Sequence, residues 1–162
     1  MLSIRTITLD VPRGAARSIS AFYENVLGCA AELNEAATMC HVMFDHVSRQ
    51  YLIFREVDGH PNDYDESESK RFHVALYLPS HQAFLDAFDR AQKAGLLYVN
   101  PRFEGGPIEF ASSKTMAEAE EAGQFRLKDI PGENGRPAFT LEHEVRSPRH
   151  KCWPMREAGS RL

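Results

Sequence analysis

The sequence predicts an α+β fold, with two βαβββ half-modules forming a curved mixed sheet around a central cavity. Three observations carry that expectation. The chain repeats itself: Thr6 to Gly28 reads Thr-Ile-Thr-Leu-Asp-Val-Pro, a helical stretch, then Val-Leu-Gly, and His73 to Gly95 reads His-Val-Ala-Leu-Tyr-Leu-Pro, a helical stretch, then Lys-Ala-Gly. Thr6 thus falls on His73, Pro12 on Pro79 and Gly28 on Gly95, the signature of a repeated structural unit. Each copy opens with a period of two and switches to a period near 3.6, a strand followed by a helix. Each is followed by further short strand-like stretches. One helix covers only one face of the strands in its half, so the other face must be buried by curving the two half-sheets toward each other.

The elements follow in order. In the first strand Ile7, Leu9 and Val11 face one way, while Thr6, Thr8 and Asp10 face the other. Pro12-Arg13-Gly14 breaks it. Ala15, Ile19, Phe22, Tyr23, Val26 and Leu27 recur at helical spacing, and Gly28 is placed to end that helix in a left-handed conformation. Strands are expected at 30–33, 39–45 and 50–57. An acidic linker, 58–70, separates the first half-module, 3–57, from the second, 71–146. There Phe72, Val74, Leu76 and Leu78 alternate with His73, Ala75 and Tyr77. Ser80 is set to cap a helix with the apolar face Phe84, Leu85, Ala87, Phe88 and Ala91. A strand is expected at 96–103, then an insertion, 104–123, with a helix at 116–122. Strands at 124–130 and 138–145 close the pattern, and a basic tail, 147–162, follows.

Composition limits the function. Hydrophobic residues make up 43% of the 162 positions, with 10 Phe and 5 Tyr, enough for a packed interior. A net charge of −4 gives no basic footprint for nucleic acid. No apolar run approaches the ~20 residues of a membrane helix. Cys29, Cys40 and Cys152 lack metal-type spacing, and an odd count argues against a disulfide framework. They read as reduced thiols, and with a strand pattern starting directly at the N-terminus the expected location is cytoplasmic.

Three stretches, Ile19-Ser-Ala-Phe-Tyr-Glu-Asn-Val-Leu-Gly28, Phe72-His-Val-Ala-Leu-Tyr-Leu78 and Phe139-Thr-Leu-Glu-His-Glu144, resemble the vicinal oxygen chelate superfamily of glyoxalase I, bleomycin-resistance proteins and extradiol ring-cleaving dioxygenases. The resemblance runs from about Ser3 to Arg146, with the insertion and tail outside it. Phe-Tyr-x-x-Val-Leu-Gly marks the fold, which serves many functions. Metal-using members take one ligand from the first strand of each half and an acid from the last strand of the second. The resemblance therefore implies His73 and Glu142 as metal ligands. It puts Thr6 where a first His or Gln would stand. With Val57 aligned on Val145, it puts Phe54 where some members have a fourth ligand. The implied cofactor is a divalent ion, Fe, Mn, Ni or Zn, acting as a Lewis acid on adjacent substrate oxygens.

Two ligands fall short of a facial triad. Glu56, Glu144 and Tyr77 are the candidates to complete the site, and Glu144 or Glu56 could serve as a general base. Thr6, Thr8, Phe54 and Tyr77 are expected to line a substrate cavity. Tyr51 and Arg55 could help Tyr77 position an anionic or phenolic substrate, and His41, two or more steps from any matched ligand position, is a candidate substitute ligand. His143 points to the helix side and reads as structural. The expected function is a glyoxalase- or dioxygenase-like metal enzyme of lyase or isomerase type. Ring-cleaving dioxygenase chemistry ranks lower, because Thr6 removes a second histidine. The alternative is a metal-free small-molecule binding protein of the bleomycin-resistance type, and a scaffold with only a regulatory role is the weakest reading. Expected partners are a small molecule and a second copy in a homodimer, where Trp153 could pack, with no nucleic acid and no membrane.

Overall fold

The structure is a computed structural model that describes residues 5–45, 50–59, 73–104, 106 and 112–153. Most of the acidic linker, Phe72, part of the insertion and the end of the tail lie outside the described residues. The chain divides into two compact units, Met1–Phe72 with Asp129–Leu141, and His73–Lys128 with Glu142–Leu162.

The first unit holds β1 (Thr6–Pro12), α1 (Ala15–Phe22), β2 (Ala30–Leu33), β3 (Met39–Asp45) and β4 (Gln50–Val57). Its sheet runs β1-β4-β3-β2, with β1 parallel to β4 and the other pairs antiparallel. A parallel pair needs a crossover, and α1 supplies it. Helix α1 continues as one π-type turn over Tyr23–Leu27 and stops at Gly28, whose φ of 72° is the left-handed conformation expected there. The turn carries Tyr23 into the core, where it lies against Phe54 at 5.5 Å between ring centroids. Gly14 gives α1 no side-chain cap. The carboxylate of Glu56 on β4 takes that role, accepting a hydrogen bond from the Ala16 N–H at 2.9 Å.

The second unit holds β5 (His73–Tyr77), α2 (His81–Lys93) and α3 (Met116–Ala122). Ser80 caps α2 as its sequence suggests, accepting from the Ala83 N–H. Strands β6 (Gln124–Pro131) and β7 (Pro137–Arg146) complete a sheet of order β5-β7-β6, with β5 parallel to β7. Phe84 and Phe88 of α2 each pack against Phe125 of β6 at 5.3 Å between centroids. Such pairs add about 0.5–1.5 kcal/mol beyond their buried area.

The expected fourth strand at 96–103 is not formed. Only Leu97 bridges the sheet, to Leu127 of β6. That bridge sits beside β6 as β2 sits beside β3, so the two halves share one strand order even though the second has three full strands. The chain then turns. Asn100 accepts a hydrogen bond from the Arg102 N–H, and Pro101–Phe103 form a 3-10 turn. Pro101 has no N–H to give to a sheet.

The tail folds back as far as Trp153. Ser147 N–H donates to the Gly123 carbonyl at 2.8 Å, and Tyr77 donates to the Cys152 carbonyl at 2.8 Å. The Trp153 ring meets Tyr77 at 5.0 Å. Gly123 has a φ of 70°, and a Cβ there would stand 3.1 Å from the His150 Cα. A glycine is required on both counts.

Candidate functional site

The β5–β7 ladder fixes what the second sheet presents on each face. His73 stands opposite Glu142, Ala75 opposite Glu144 and Tyr77 opposite Arg146. Between these positions, Val74 and Leu76 are buried with His143 and Val145, their ladder partners, on the side that α2 covers. His143 is fully buried there, as its place in the alternation requires.

The open side is closed by charge rather than by apolar packing. Glu142 and Glu144 are 6% and 2% exposed, and between them lies Arg126 of β6, 1% exposed. Its guanidinium donates from one terminal nitrogen to Glu142 Oε1 at 2.6 Å and from the other to Glu144 Oε2 at 2.7 Å. Asn100 Nδ2 donates to both Glu142 oxygens at 3.0 Å. Arg146 Nε donates to Glu144 Oε1 at 2.5 Å, and its Nη1 donates to the Tyr77 hydroxyl at 2.7 Å. Phe103 lies beneath the Arg126 guanidinium at 4.5 Å, in cation–π range. Two carboxylates thus meet two guanidiniums, and the buried charge is compensated, although the buried Arg126 Nε has no hydrogen-bond partner among the described residues. Burial pulls the Arg146 pKa down, but its bonds to Tyr77 and Glu144 outweigh that and hold it above its ordinary value.

His73 sits at the edge of this network. Its side chain is 45% exposed, and Nε2 is 3.6 Å from Glu144 Oε2. That distance places the ring beside the carboxylate without a formed hydrogen bond.

These contacts decide whether the expected donor set fits a metal. Both oxygens of Glu142 are committed to Arg126 and Asn100, and both oxygens of Glu144 to Arg126 and Arg146. The place between the carboxylates, where a cation would gain most, is taken by a guanidinium that would repel it. No group of three His, Cys, Asp or Glu side chains among the described residues is arranged to hold a metal ion. The residues present do not fit the divalent ion. For the same reason both Glu144 oxygens already accept from guanidiniums, and neither stands open as a base.

Three other expectations are relocated. Glu56 lies on the helix-covered side of the first sheet as the cap of α1, so neither a ligand nor a base role suits its position. Phe54 is fully buried against Tyr23 on that same side and does not belong with Thr6 and Thr8. The register also corrects the alignment of the halves. Thr6 stands opposite Tyr51 as His73 stands opposite Glu142, so Tyr51, not Phe54, occupies the position equivalent to Glu142. By the same rule Arg55 corresponds to Arg146, and its ion pair with Asp10 at 2.7 Å echoes the Arg146–Tyr77 bond. Thr6 and Thr8 are exposed on β1. Tyr77 is half-buried inside the network. Arg126, Arg146 and Asn100 are the residues that sequence reading missed. The alternation of Gln124, Arg126 and Lys128 against Phe125 and Leu127 already placed Arg126 on the glutamate face.

No protein-family profile and no curated protein matches the sequence. Solved structures do match in shape. An oxidase, ChaP-H2, superposes with a TM-score of 0.56 at 14% identity, over 94% of this chain and 98% of that one. A glyoxylase/bleomycin resistance protein/dioxygenase domain from Frankia sp. EAN1pec gives 0.53 at 16%, over 91% and 98%. A possible glyoxalase from Bacillus cereus gives 0.51 at 17%, over 90% and 99%. The chain has the vicinal oxygen chelate fold. At these identities the likeness fixes the fold and leaves the ligand open. Among the described residues, no helix is long and apolar enough to cross a membrane.

Proposed function

We propose that this chain is a small-molecule binding protein of the bleomycin-resistance type, built on the vicinal oxygen chelate fold and holding no divalent metal between its carboxylates. One observation carries the reading: the buried Arg126 guanidinium occupies the place between Glu142 and Glu144 that a catalytic cation would need. In the second unit, His73 offers a ligand a half-exposed ring beside the network. An imidazole with the half-buried Tyr77 on the same strand face suits a planar molecule with a few hydrogen-bonding edges. A homodimer and a cytoplasmic location belong to the same proposal. Three free cysteines support the second.

Calorimetric titration of the wild-type chain and of His73→Ala with Mn(II), Ni(II) and Zn(II) tests the reading. The expected result is no one-to-one binding that depends on His73. A stoichiometric site lost in His73→Ala would restore the metal-dependent enzyme as the better reading, and substrates with vicinal oxygens would then be the ones to screen.

A further inference from the structure

Strand β3 carries a second set of donor atoms, in the first unit. Cys40 and Val42 are fully buried on the side of α1, which packs on this strand. The alternate residues Met39, His41 and Met43 are half-buried and share the other face. The ladder to β4 is regular from Met39 to Met43, and its only irregularity comes after, between Met43 and Asp45. The three side chains therefore form one row with the imidazole in the middle. His41 Nε2 lies 3.1 Å from Met39 Sδ. On the neighbouring strands Ile53 and Glu32 stand opposite His41, and Tyr51 and Ala30 opposite Met43.

We propose that Met39, His41 and Met43 form a binding site for a soft monovalent cation, Cu(I) or its analogue Ag(I). Two thioethers and a neutral imidazole are uncharged, polarisable donors, the set that selects Cu(I) over hard divalent ions. Residues two apart on a strand are about 6.6 Å apart along the chain. Methionine has three rotatable bonds to cover that interval, so both sulfurs can swing toward the central ring. The contact between the His41 nitrogen and the Met39 sulfur shows two of the three donors already facing each other. On binding, the ion lies between Nε2 and the sulfur, and the neutral ring carries its hydrogen on Nδ1. The inference is independent of the carboxylate–guanidinium network of the second unit.

The test uses protein labelled at the methionine methyl carbons and titrated anaerobically with Ag(I), which resists oxidation. The starting chain carries Cys29→Ser and Cys152→Ser so that accessible thiols do not compete; Cys40 is buried on the opposite face of β3. Of the five methionines, Met39 and Met43 should shift together and saturate at one equivalent, with the other three as internal controls. Met39→Leu nearly conserves volume. It and His41→Gln should each weaken binding by at least the roughly 10–100-fold that even outer partners of a metal contribute. Unmoved Met39 and Met43 methyls at one equivalent would overturn the proposal and leave this row as packing surface. So would binding that survives Met39→Leu unchanged.

Discussion

At the scale of single residues, Arg126 governs the second unit. A buried pair is weak evidence of net stability, but removing one partner leaves uncompensated charge and costs about 3–5 kcal/mol. Arg126→Leu should therefore lose about that much in urea unfolding, and adding Glu142→Gln and Glu144→Gln should restore most of the loss. A loss below about 1 kcal/mol would mean that the network is solvated and that each charge stands alone. His73, Glu142 and Glu144 were legible as residues of one face, because strand alternation alone places them. Their chemistry was not legible, because it depends on a side chain of β6 that reaches them across the sheet. The resemblance directed attention to acids and histidines and away from the arginine between them.

A second prediction at this scale concerns Cys40. Burial pushes its thiol up to about 11 from its ordinary 9.0, partly offset by a hydrogen bond with Ser20. The folded chain then holds a proton that the unfolded chain gives up first. Stability from this group is complete below the unfolded value and declines as the pH rises through the interval from 9.0 to about 11. The buried Tyr23 hydroxyl, also pushed well above its ordinary value by burial, acts in the same direction. Urea midpoints should fall across that interval, and Cys40→Ala should reduce the fall. An unchanged alkaline slope in Cys40→Ala would contradict the assignment.

At the scale of elements, the duplicated strand and helix were legible because period, caps and breakers agreed in both copies. The register was not, since the match of the two halves was off by three residues, an odd shift that turns every side chain to the other face. Matching Val57 to Val145 took Phe54 and Glu56 to the wrong face, and the ladder of Thr6 with Tyr51 corrects both. The strand expected at 96–103 failed at Asn100-Pro101, where a turn signal opposed the apolar alternation and prevailed. Glu56 gives the test for this scale. As the cap of α1, its replacement by Ala should cost about 0.5–2 kcal/mol of stability. Glu56→Gln, which keeps an acceptor oxygen, should cost less. Equal stability of wild type and Glu56→Ala would show that the carboxylate is free for other work. The tail offers a parallel case, where Gly123→Ala should loosen the segment through Trp153 and speed its amide exchange, because the added Cβ meets the His150 backbone.

At the scale of the whole molecule, the repeat announced the architecture, and each unit keeps the same strand order with one parallel pair beside its helix. The two copies differ in what fills the face away from the helix. The first carries hydroxyl, thioether and imidazole groups, and the second a neutralised set of two glutamates and two arginines. A fold that elsewhere hosts many activities here has an internal cation where the sequence reading expected a metal. Thermal unfolding of the wild-type chain and of Arg126→Ala, with and without Mn(II) and Zn(II), tests that claim most directly. The account predicts no stabilisation of the wild type by either ion. In Arg126→Ala, where Glu142, Glu144 and His73 are left without the guanidinium, it predicts a rise in Tm on adding metal. A wild-type chain stabilised by one equivalent of either ion would contradict it, whatever the variant does.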